Sequence, residues 1–440
     1  MNRIASNQFS SLRKSAQLSI EDVADFLRVS LSEVEALENG TKSPSVSNLL
    51  ALEGLQFGQP NRDVDEQNEK VEFQTIGEMF SGPGGGGIGA SQSKLKLEDK
   101  TIKIRHTWAT DYDRDTCDTY LNNISKYEAE NLGINEPVKV ICDDINNIDL
   151  SRNGPFEKVD GLLFGFPCND YSIVGESKGI NGTFGPLYKH GITILNRPDK
   201  PKWFMAENVG GITSSNDGNA FAQILFEMKD AGYNIVAHKY KFEEYSVPQA
   251  RHRVIIVGIQ TSLDKNFRVP VPHNKKITAG EALANIPKTA THQILTNQSR
   301  TVIERLKRIK PGKNVWNSDL PDHLKLNVRN TKLSHIYRRL EKDKPAYTLT
   351  GSGGGGTHMY HWEEPRALTN RERARIQTFP DWFNFSGKKE SIRKQIGMAI
   401  PPQGAKVVIE AILSTLYDVN YNSIEPNIDV EKVIQSKKFA

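Results

Sequence analysis

The 440-residue chain has few cysteines, no long apolar run and little net charge. Its three cysteines, Cys117, Cys142 and Cys168, show no CxxC spacing, which argues against a zinc site or a disulfide framework. We therefore expect reduced thiols and no metal. Neither a run of about 18 apolar residues nor a hydrophobic signal segment is present, so the sequence supports neither a membrane span nor secretion. A cytoplasmic location is expected.

The net charge of +4 does not by itself indicate a nucleic-acid partner. Its distribution is more informative, because residues 259–365 hold 18 Lys and Arg against 9 Asp and Glu. A local excess of positive charge is typical of a surface that binds a polyanion. This basic region is the candidate for such a surface, and a solvated basic face is the alternative interpretation.

Four segments within residues 9–55 have apolar residues three and four apart, which predicts a small helical domain. Ser19 and Ser30 are placed as N-caps, and Asn39-Gly40 is a helix stop. The layout resembles the helix-turn-helix of the phage-repressor-like family. That resemblance implies a module that binds DNA or regulates the protein's own gene. A helical packing domain is the alternative.

The second helix of this motif, SLSEVEALEN, is unusual for a DNA-binding element. It carries Glu33, Glu35 and Glu38 and has no Lys or Arg, and residues 1–55 hold five basic against seven acidic side chains. Attraction to phosphates should therefore be weak. Operator DNA and a second protomer are both open as partners of this module.

From residue 72 onward, short apolar runs alternate with helical stretches, which predicts an α/β fold with a mostly parallel sheet covered by helices on both faces. The regularity stops near residue 260 and resumes near residue 366. The predicted organisation is a helix-turn-helix domain at 1–57, a linker at 58–71, the first part of an α/β domain at 72–259, a basic domain at 260–365, and the return to the α/β domain at 366–440.

A glycine-rich turn, GEMFSGPGGGGIGA, follows the first predicted strand. Gly82, Gly84 and Gly87 satisfy the pattern G-x-G-x-x-G, which lets the backbone approach a ligand and leads into a helix N-terminus that suits an anion. A dinucleotide pyrophosphate and the carboxylate of a methionine moiety both fit. A glycine turn without a ligand is the third interpretation.

Acidic side chains end the next two strands. Asp111 closes IRHTWATD, where an acid can hold ribose hydroxyls, and Tyr112 beside it could stack on an adenine. Asp144 follows the third strand and is placed to contact the adenine amino group. Each acid alone is usually a helix cap, but the series predicts an adenosine site. At this point a nicotinamide enzyme and a methyltransferase are equally supported.

Cys168 follows Pro167 at the end of VDGLLFGF, the strand edge at which open α/β folds place their chemistry. A thiol held there is a candidate nucleophile. Glu207 ends the next strand, and Arg251 and Arg253 begin the strand after it. A nucleophile, a carboxyl group and two cations are thus predicted beside the adenosine pocket.

These residues lie in six blocks that resemble the DNA cytosine-C5 methyltransferase family, bacterial restriction-modification type. The resemblance spans residues 73–415 except the basic region. It implies a Rossmann-like mixed sheet, S-adenosylmethionine as cofactor and double-stranded DNA as partner. The blocks are FSGPGG at 80–85, GFPCNDYS at 165–172, ENV at 207–209, QARHR at 249–253, RALTNRERARIQTFPDWF at 366–383 and KQIGMAIPP at 394–402.

The resemblance also implies residue roles. Cys168 adds to C6 of a flipped cytosine, Glu207 engages N3 and the exocyclic amine, Arg253 contacts the base carbonyl, and Arg251 supports the pocket. Residues 175–185 correspond to an active-site lid, and the basic domain to a target-recognition domain. The implied cofactor-binding residues are Phe80, Ser81, Gly82, Pro83, Gly84, Gly85, Asp111, Tyr112, Asp144, Ile145 and Pro167.

The chain departs from the family pattern at two positions. Asn169 stands where a glutamine is usual, and Met398 replaces the usual asparagine of the last block. Two other functions stay open: an RNA cytosine methyltransferase of the same fold, and a DNA-binding regulator whose methylase domain is vestigial. Intact Cys168, Glu207 and Arg253 disfavour the regulator.

Overall fold

A computed structural model gives the fold. It describes residues 9–11, 13–14, 19–27, 29–42, 70–166, 187–213, 218–273, 275–326, 334–351 and 355–436. The chain divides into two compact units, residues 1–70 and residues 71–440.

The described part of the first unit contains helices α1 (Ile20–Leu27) and α2 (Leu31–Glu38). The predicted N-cap is confirmed, because the Ser30 hydroxyl accepts a hydrogen bond from the Glu33 N–H at 3.3 Å. The helix ends before Asn39, as predicted. Apolar side chains from both helices and from the segment before them form a small core of their own: Phe9, Val23, Ala24, Val34 and Leu37.

The second unit is built on an eight-stranded sheet, as far as the described residues show it. The described strands are β1 (Lys70–Met79), β2 (Lys94–Lys96), β3 (Lys100–Asp111), β4 (Lys139–Cys142), β5 (Gly161–Phe164), β6 (Trp203–Val209), β7 (Tyr233–Lys241), β8 (Gln249–Ala250), β9 (His252–Gln260), β10 (Val269–Pro270), β11 (Ala346–Tyr347) and β12 (Ser423–Ile424). In the eight-stranded sheet the order is β2-β3-β1-β5-β6-β9-β7, with β4 paired to β3, whereas β10 pairs with β12 and β11 with β8.

The sheet is mixed. Strand β5 runs parallel to β1 and β6, and β3 runs parallel to β4. Strand β9 is antiparallel to both β6 and β7. The predicted fold class is confirmed, and its parallel strands bring their last residues to one edge: Met79, Asp111, Cys142, Phe164 and Val209.

Helices cover both faces because side chains of the central strands alternate between two cores. Leu162 and Phe164 belong to one cluster, whereas Leu163 between them belongs to the other. The helices of this unit are α3 (Gly85–Ser91), α4 (Arg114–Leu132), α5 (Tyr188–Leu195), α6 (Asn219–Asp230), α7 (Ala279–Leu283), α8 (Arg300–Arg308), α9 (Asn370–Ile376), α10 (Lys389–Met398), α11 (Pro402–Leu416) and α12 (Val430–Gln435).

Helices α10 and α11 together form a stretch, Lys389–Leu416, that is long and apolar enough to cross a membrane by length and composition alone. In the fold, 67% of its most apolar window is buried inside the protein. The apolar face of α11 packs in the core beneath the sheet, so its hydrophobicity is explained by packing.

The edge strand β7 was not predicted from the sequence. The C-terminal segment covers its outer side: Ile428 forms a bridge with Ala237. The Asn427 side chain accepts from the Lys239 N–H at 2.8 Å and donates to the Lys239 carbonyl at 3.1 Å. These contacts satisfy backbone groups that an uncovered edge would leave open to another chain.

Candidate active site

The glycine-rich turn leaves β1 through three residues in the left-handed region: Phe80 (φ 55°), Gly82 (φ 56°) and Gly84 (φ 95°). A left-handed conformation is uncommon for a phenylalanine, and such strain concentrates at functional sites. A Cβ atom on Gly82 would meet no described atom within 4 Å. The backbone of the turn is therefore free of neighbouring side chains at this edge of the sheet, so that a ligand can approach it closely.

The glycines that follow the turn have a different purpose, which is close packing. A Cβ on Gly85 would collide with the carbonyl oxygen of Ile400, and a Cβ on Gly89 with that of Pro402. Helix α3 thus lies directly against the start of α11. A Cβ on Gly86 would lie 2.6 Å from Oε1 of Glu78. The glycine run combines an open turn with a tightly packed helix.

Glu78 was missed by the sequence interpretation. Its side chain is buried beneath α3, next to Tyr120. Burial raises the pKa of Glu78 to about 8, and the charge of Asp111 adds to the rise, whereas the Tyr120 hydroxyl lowers it. The sequence contained one signal for it, because Glu78 is an acidic residue near the end of the apolar strand that precedes the glycine-rich turn.

Asp111 and the glycine turn are joined directly. The Gly82 N–H donates to Asp111 Oδ2 at 2.9 Å, and the Asp113 N–H donates to Oδ1 at 3.1 Å. Burial raises the pKa of Asp111, while these backbone hydrogen bonds lower it. The cap of α4 is Asp113, which accepts from the Thr116 N–H, so Asp111 is not needed as a helix cap. Tyr112 is 67% exposed, with its ring accessible for stacking.

Asp144 lies at the same edge, but its Oδ1 caps a short turn by accepting from the Asn146 N–H at 3.0 Å. Ile145 is buried beside it. From the sequence, Cys142 is expected to be buried within the strand that precedes Asp144, but it is the last residue of β4 and only half-buried. Cys117 is buried, and both thiols are free.

Pro167, Cys168 and Asn169, as well as residues 175–185, lie outside the described residues. The chain that leads into this segment is described up to Phe166, whose carbonyl accepts a hydrogen bond from Asn208 Nδ2 at 3.2 Å. A Cβ on Gly165 would lie 3.7 Å from Glu207 Oε2. The segment that carries Cys168 therefore starts beside Glu207.

Glu207 and Arg253 form an ion pair at this edge. Arg253 Nε lies 2.9 Å from Glu207 Oε1, and the side chains are 12% and 19% exposed. The antiparallel register of β6 and β9, which pairs Val209 with Arg253, brings the two side chains together. A fixed guanidinium beside a carboxyl group defines the orientation of that carboxyl group.

Arg251 has a different environment from Arg253. It is 1% exposed, and its two terminal nitrogens donate to the carbonyls of Leu349 and Ala399, each at 3.0 Å. Gln377 Nε2 donates to the same Ala399 carbonyl. Arg251 therefore holds together three segments that are far apart in the sequence.

Comparison with known proteins agrees with this geometry. Residues 74–414 match the family C-5 cytosine-specific DNA methylase, and residues 10–55 match the helix-turn-helix family. The chain belongs to the C-5 cytosine-specific DNA methylase family. The resemblance predicted from the sequence is thus confirmed.

Relatives of this methylase share most of its length. It is 51% identical over 365 residues to the Type II methyltransferase M.BbvI of Brevibacillus brevis, covering 81% of this chain and 95% of that protein. It is 35% identical to M.NgoFVII of Neisseria gonorrhoeae, covering 86% and 96%. A prophage-encoded DNA modification methyltransferase of E. coli has the same fold, with a TM-score of 0.59 at 20% identity over 78% of this chain and 99% of that one.

Residues 260–365 of the methylase use part of their positive charge internally, which the charge count could not reveal. Buried Arg305 donates to the Leu324 carbonyl at 2.7 Å, and buried Arg339 donates to carbonyls of four residues. Exposed basic side chains remain on and after α8. They include Arg300, Lys307, Arg308, Lys310 and Lys313.

Met398, the departure from the family pattern that the structure describes, ends α10 and is 58% exposed. It lies against Gly351, where a Cβ would meet its Cγ at 2.5 Å. The methionine therefore packs on backbone with its side chain open to solvent. Its thioether makes no hydrogen bond among the described side-chain contacts.

Proposed function

We propose that the protein is a DNA (cytosine-5-)-methyltransferase of a restriction-modification system, acting in the cytoplasm on double-stranded DNA. The observation that carries the proposal is the Glu207–Arg253 ion pair at the strand edge where the segment bearing Cys168 begins. The glycine turn and Asp111 lie along the same edge. Relatives named Type II methyltransferases support the restriction-modification role.

In the proposed mechanism, Cys168 Sγ adds to C6 of cytosine. The C5–C6 double bond supplies the electron pair that makes C5 nucleophilic, and the developing charge on the ring is stabilised by Glu207 at N3 and the amine. Arg253 holds the Glu207 carboxyl group and contacts the base carbonyl. After C5 carries the methyl group, loss of the C5 proton and breakage of the Sγ–C6 bond restore the double bond.

Residues beside the glycine-rich turn fit S-adenosylmethionine, which supplies an electrophilic methyl group when bound. The open backbone of Gly82 suits its amino-acid end, and Asp111 would hold the ribose. Tyr112 would stack on the adenine, beside Ile145. The other residues proposed to line this pocket are Phe80, Ser81, Pro83, Gly84, Gly85, Asp144 and Pro167.

The target C5 and C6 atoms are inaccessible in stacked DNA, so the base must be flipped out of the duplex. Unstacking costs a few kcal/mol, which phosphate contacts must offset. The exposed basic side chains on and after α8 are suited to such contacts. We assign target recognition to residues 260–365.

The test is transfer of labelled methyl groups to unmethylated genomic DNA, followed by nucleoside mass spectrometry. We expect 5-methylcytosine from the native chain and none from Cys168→Ala. Cys142→Ser is the matched control, since it changes a thiol that the mechanism does not use. Methylation of RNA alone, or product that persists in Cys168→Ala, would overturn the proposal.

We propose further that the N-terminal module binds operator DNA of its own system. The helix-turn-helix match at residues 10–55 supports this role. Two of the three acidic side chains on α2 are neutralised within the module: Arg13 pairs with Glu38 at 2.6 Å, and Lys42 with Glu33. The test is binding of residues 1–60 to the upstream DNA of its gene at low salt. No sequence-specific binding would make a protein-contact role the better interpretation.

A further inference from the structure

Arg373 of helix α9 is a buried cation without an anionic partner. Its side chain is 4% exposed. The hydrogen bond that the structure describes for it goes from Nη2 to His358 Nδ1 at 3.3 Å. No carboxylate within the described ranges forms an ion pair with it. Burying a charge without a counter-ion is strongly unfavourable, so this residue requires an explanation.

Two nearby arginines have carboxylate partners. Arg366 pairs with both Glu364 and Glu372 at 2.8 Å. Arg375, two residues after Arg373 on the same helix, donates to Asp381 Oδ1 at 2.8 Å. Arg371, on the same helix, is fully buried without a carboxylate, but it donates to oxygens of Thr291, Pro380 and Phe383. Arg373 differs because its side chain has neither a carboxylate nor an oxygen acceptor among the described contacts.

Helix α10 packs against α9 through a hydrogen bond from Asn370 to the Lys389 carbonyl, and it carries two further cations whose charges act on Arg373. Arg393 has a buried Nε with no hydrogen-bond partner among the described residues, and Lys389 donates to the carbonyl of Leu295 at 2.8 Å. Burial, together with the charge of Arg393, lowers the pKa of Arg373 to about 10, while Tyr347, Tyr360 and Glu372 oppose the change. Two carboxylates act on these cations: Glu390, which is exposed, and Glu372, which is paired with Arg366. They do not balance three further positive charges.

His358 adds a neutral donor to the group. Burial, together with the charges of Arg373, Arg393 and Lys389, lowers its pKa to about 4, with Glu390 opposing. The ring is therefore uncharged near neutral pH. Because Nδ1 accepts from Arg373, the ring proton lies on Nε2, where it can donate to an anion.

We propose that Arg373, Arg393 and Lys389 form a binding site for one phosphate group of the DNA backbone. This inference rests on the proposed action on DNA. A phosphodiester brings one negative charge and acceptor oxygens that match guanidinium donors. Arg393 and Lys389 are partly exposed and meet the phosphate first, while Arg373 stabilises it from beneath. His358 and Leu295 belong to the domain assigned to target recognition, which places the site beside the DNA.

The experiment measures binding of the full chain to a labelled duplex of about 30 base pairs, at several sodium chloride concentrations between about 50 and 200 mM. Each neutralised phosphate contributes about 0.9 to the slope of log affinity against log salt. We expect Arg393→Gln and Arg373→Gln each to lower the slope by about 0.9 and to weaken binding several-fold. The double variant should have the same salt slope as each single variant, because both arginines bind the same phosphate.

Arg375→Gln is the matched control on the same helix and should leave the slope unchanged, since its charge is paired with Asp381. A slope unchanged in both Arg373→Gln and Arg393→Gln would overturn the proposal, even if Arg373→Gln lowers the melting temperature. Arg393→Gln keeps the test valid if Arg373→Gln fails to fold, because Arg393 is partly exposed.

A second measurement separates DNA from free anions. Inorganic phosphate should raise the melting temperature of the native chain more than chloride at equal ionic strength, and less so in Arg393→Gln. Stabilisation by phosphate with no change of the DNA slope would mean that the site binds a free anion, contrary to the proposal. If the protein and its variants bind DNA with the expected salt slopes but the native chain makes no 5-methylcytosine, the proposed function is wrong. The phosphate-binding site would still be supported.

Discussion

Two arginines only two residues apart contribute to different properties. Arg253→Met removes the partner of Glu207, so we expect kcat/KM for methyl transfer to fall about 100-fold or more with little change in stability. Arg251→Met leaves the Leu349 carbonyl without its side-chain donor and the Ala399 carbonyl with Gln377 alone, which should lower the free energy of unfolding by about 3 kcal/mol. Urea unfolding and steady-state kinetics on both variants check this.

The control for the stability measurement is Arg105→Met. Arg105 forms a largely exposed ion pair with Glu136, and such pairs contribute about 0–1 kcal/mol. If Arg251→Met unfolds at the same urea concentration as Arg105→Met, the anchoring role of Arg251 is wrong.

Glu78 should make stability depend on pH. Its folded pKa of about 8 lies above the ordinary value of 4.5. Between these values the folded state holds a proton that the unfolded state has lost, so stability is greatest below about pH 4.5 and falls as pH rises towards 8, by at most about 1.4 kcal/mol per pH unit. Glu78→Gln removes this dependence of stability on pH.

Urea unfolding at several pH values between about 5 and 8 compares the two proteins. The difference in unfolding free energy should shift in favour of Glu78→Gln as pH rises. Parallel pH profiles would mean that the carboxyl group is ionised in the folded protein, in disagreement with its burial beneath α3.

At the scale of elements, the glycine helix α3 depends on close approach to its neighbours. Gly85→Ala places a methyl group against the backbone of Ile400, whereas Gly86→Ala meets the side chain of Glu78. Overpacking of this kind costs about 1–3 kcal/mol. We expect Gly85→Ala to be the more destabilising, because backbone cannot move aside as a side chain can.

A double-mutant cycle distinguishes the two clashes. Glu78→Ala should relieve the cost of Gly86→Ala and leave that of Gly85→Ala unchanged, as measured by urea unfolding. Equal coupling of Glu78→Ala to both glycine variants would contradict the assigned contacts.

The same elements show how much the sequence can predict. Alternating apolar runs predicted the strands that carry Asp111 and Glu207, because the position of a strand along the chain follows from local pattern. The contacts that distinguish Arg251 from Arg253 come from Leu349 and Ala399, which are about 100 and 150 residues away. The edge strand β7 likewise depends on a distant C-terminal segment. Non-local contacts of this kind leave no periodic signal.

At the scale of the whole molecule, the two units have separate cores. The core of the first consists of Phe9 and residues of α1 and α2, whereas the family match to the methylase lies at 74–414, within the second. All described residues of the proposed active site belong to the second unit. We therefore expect methyl transfer and helix-turn-helix function to be separable.

Residues 71–440 alone should methylate genomic DNA with kcat/KM within about twofold of the full chain, because no described active-site residue is lost. Phe9→Ala in the full chain is the matched control: loss of a buried phenylalanine costs about 3–5 kcal/mol and should unfold only the first unit. Methyl transfer by Phe9→Ala should equal that of the native chain, while operator binding is lost. If both changes reduce methylation equally, the first unit takes part in catalysis or target binding, and the two functions are coupled.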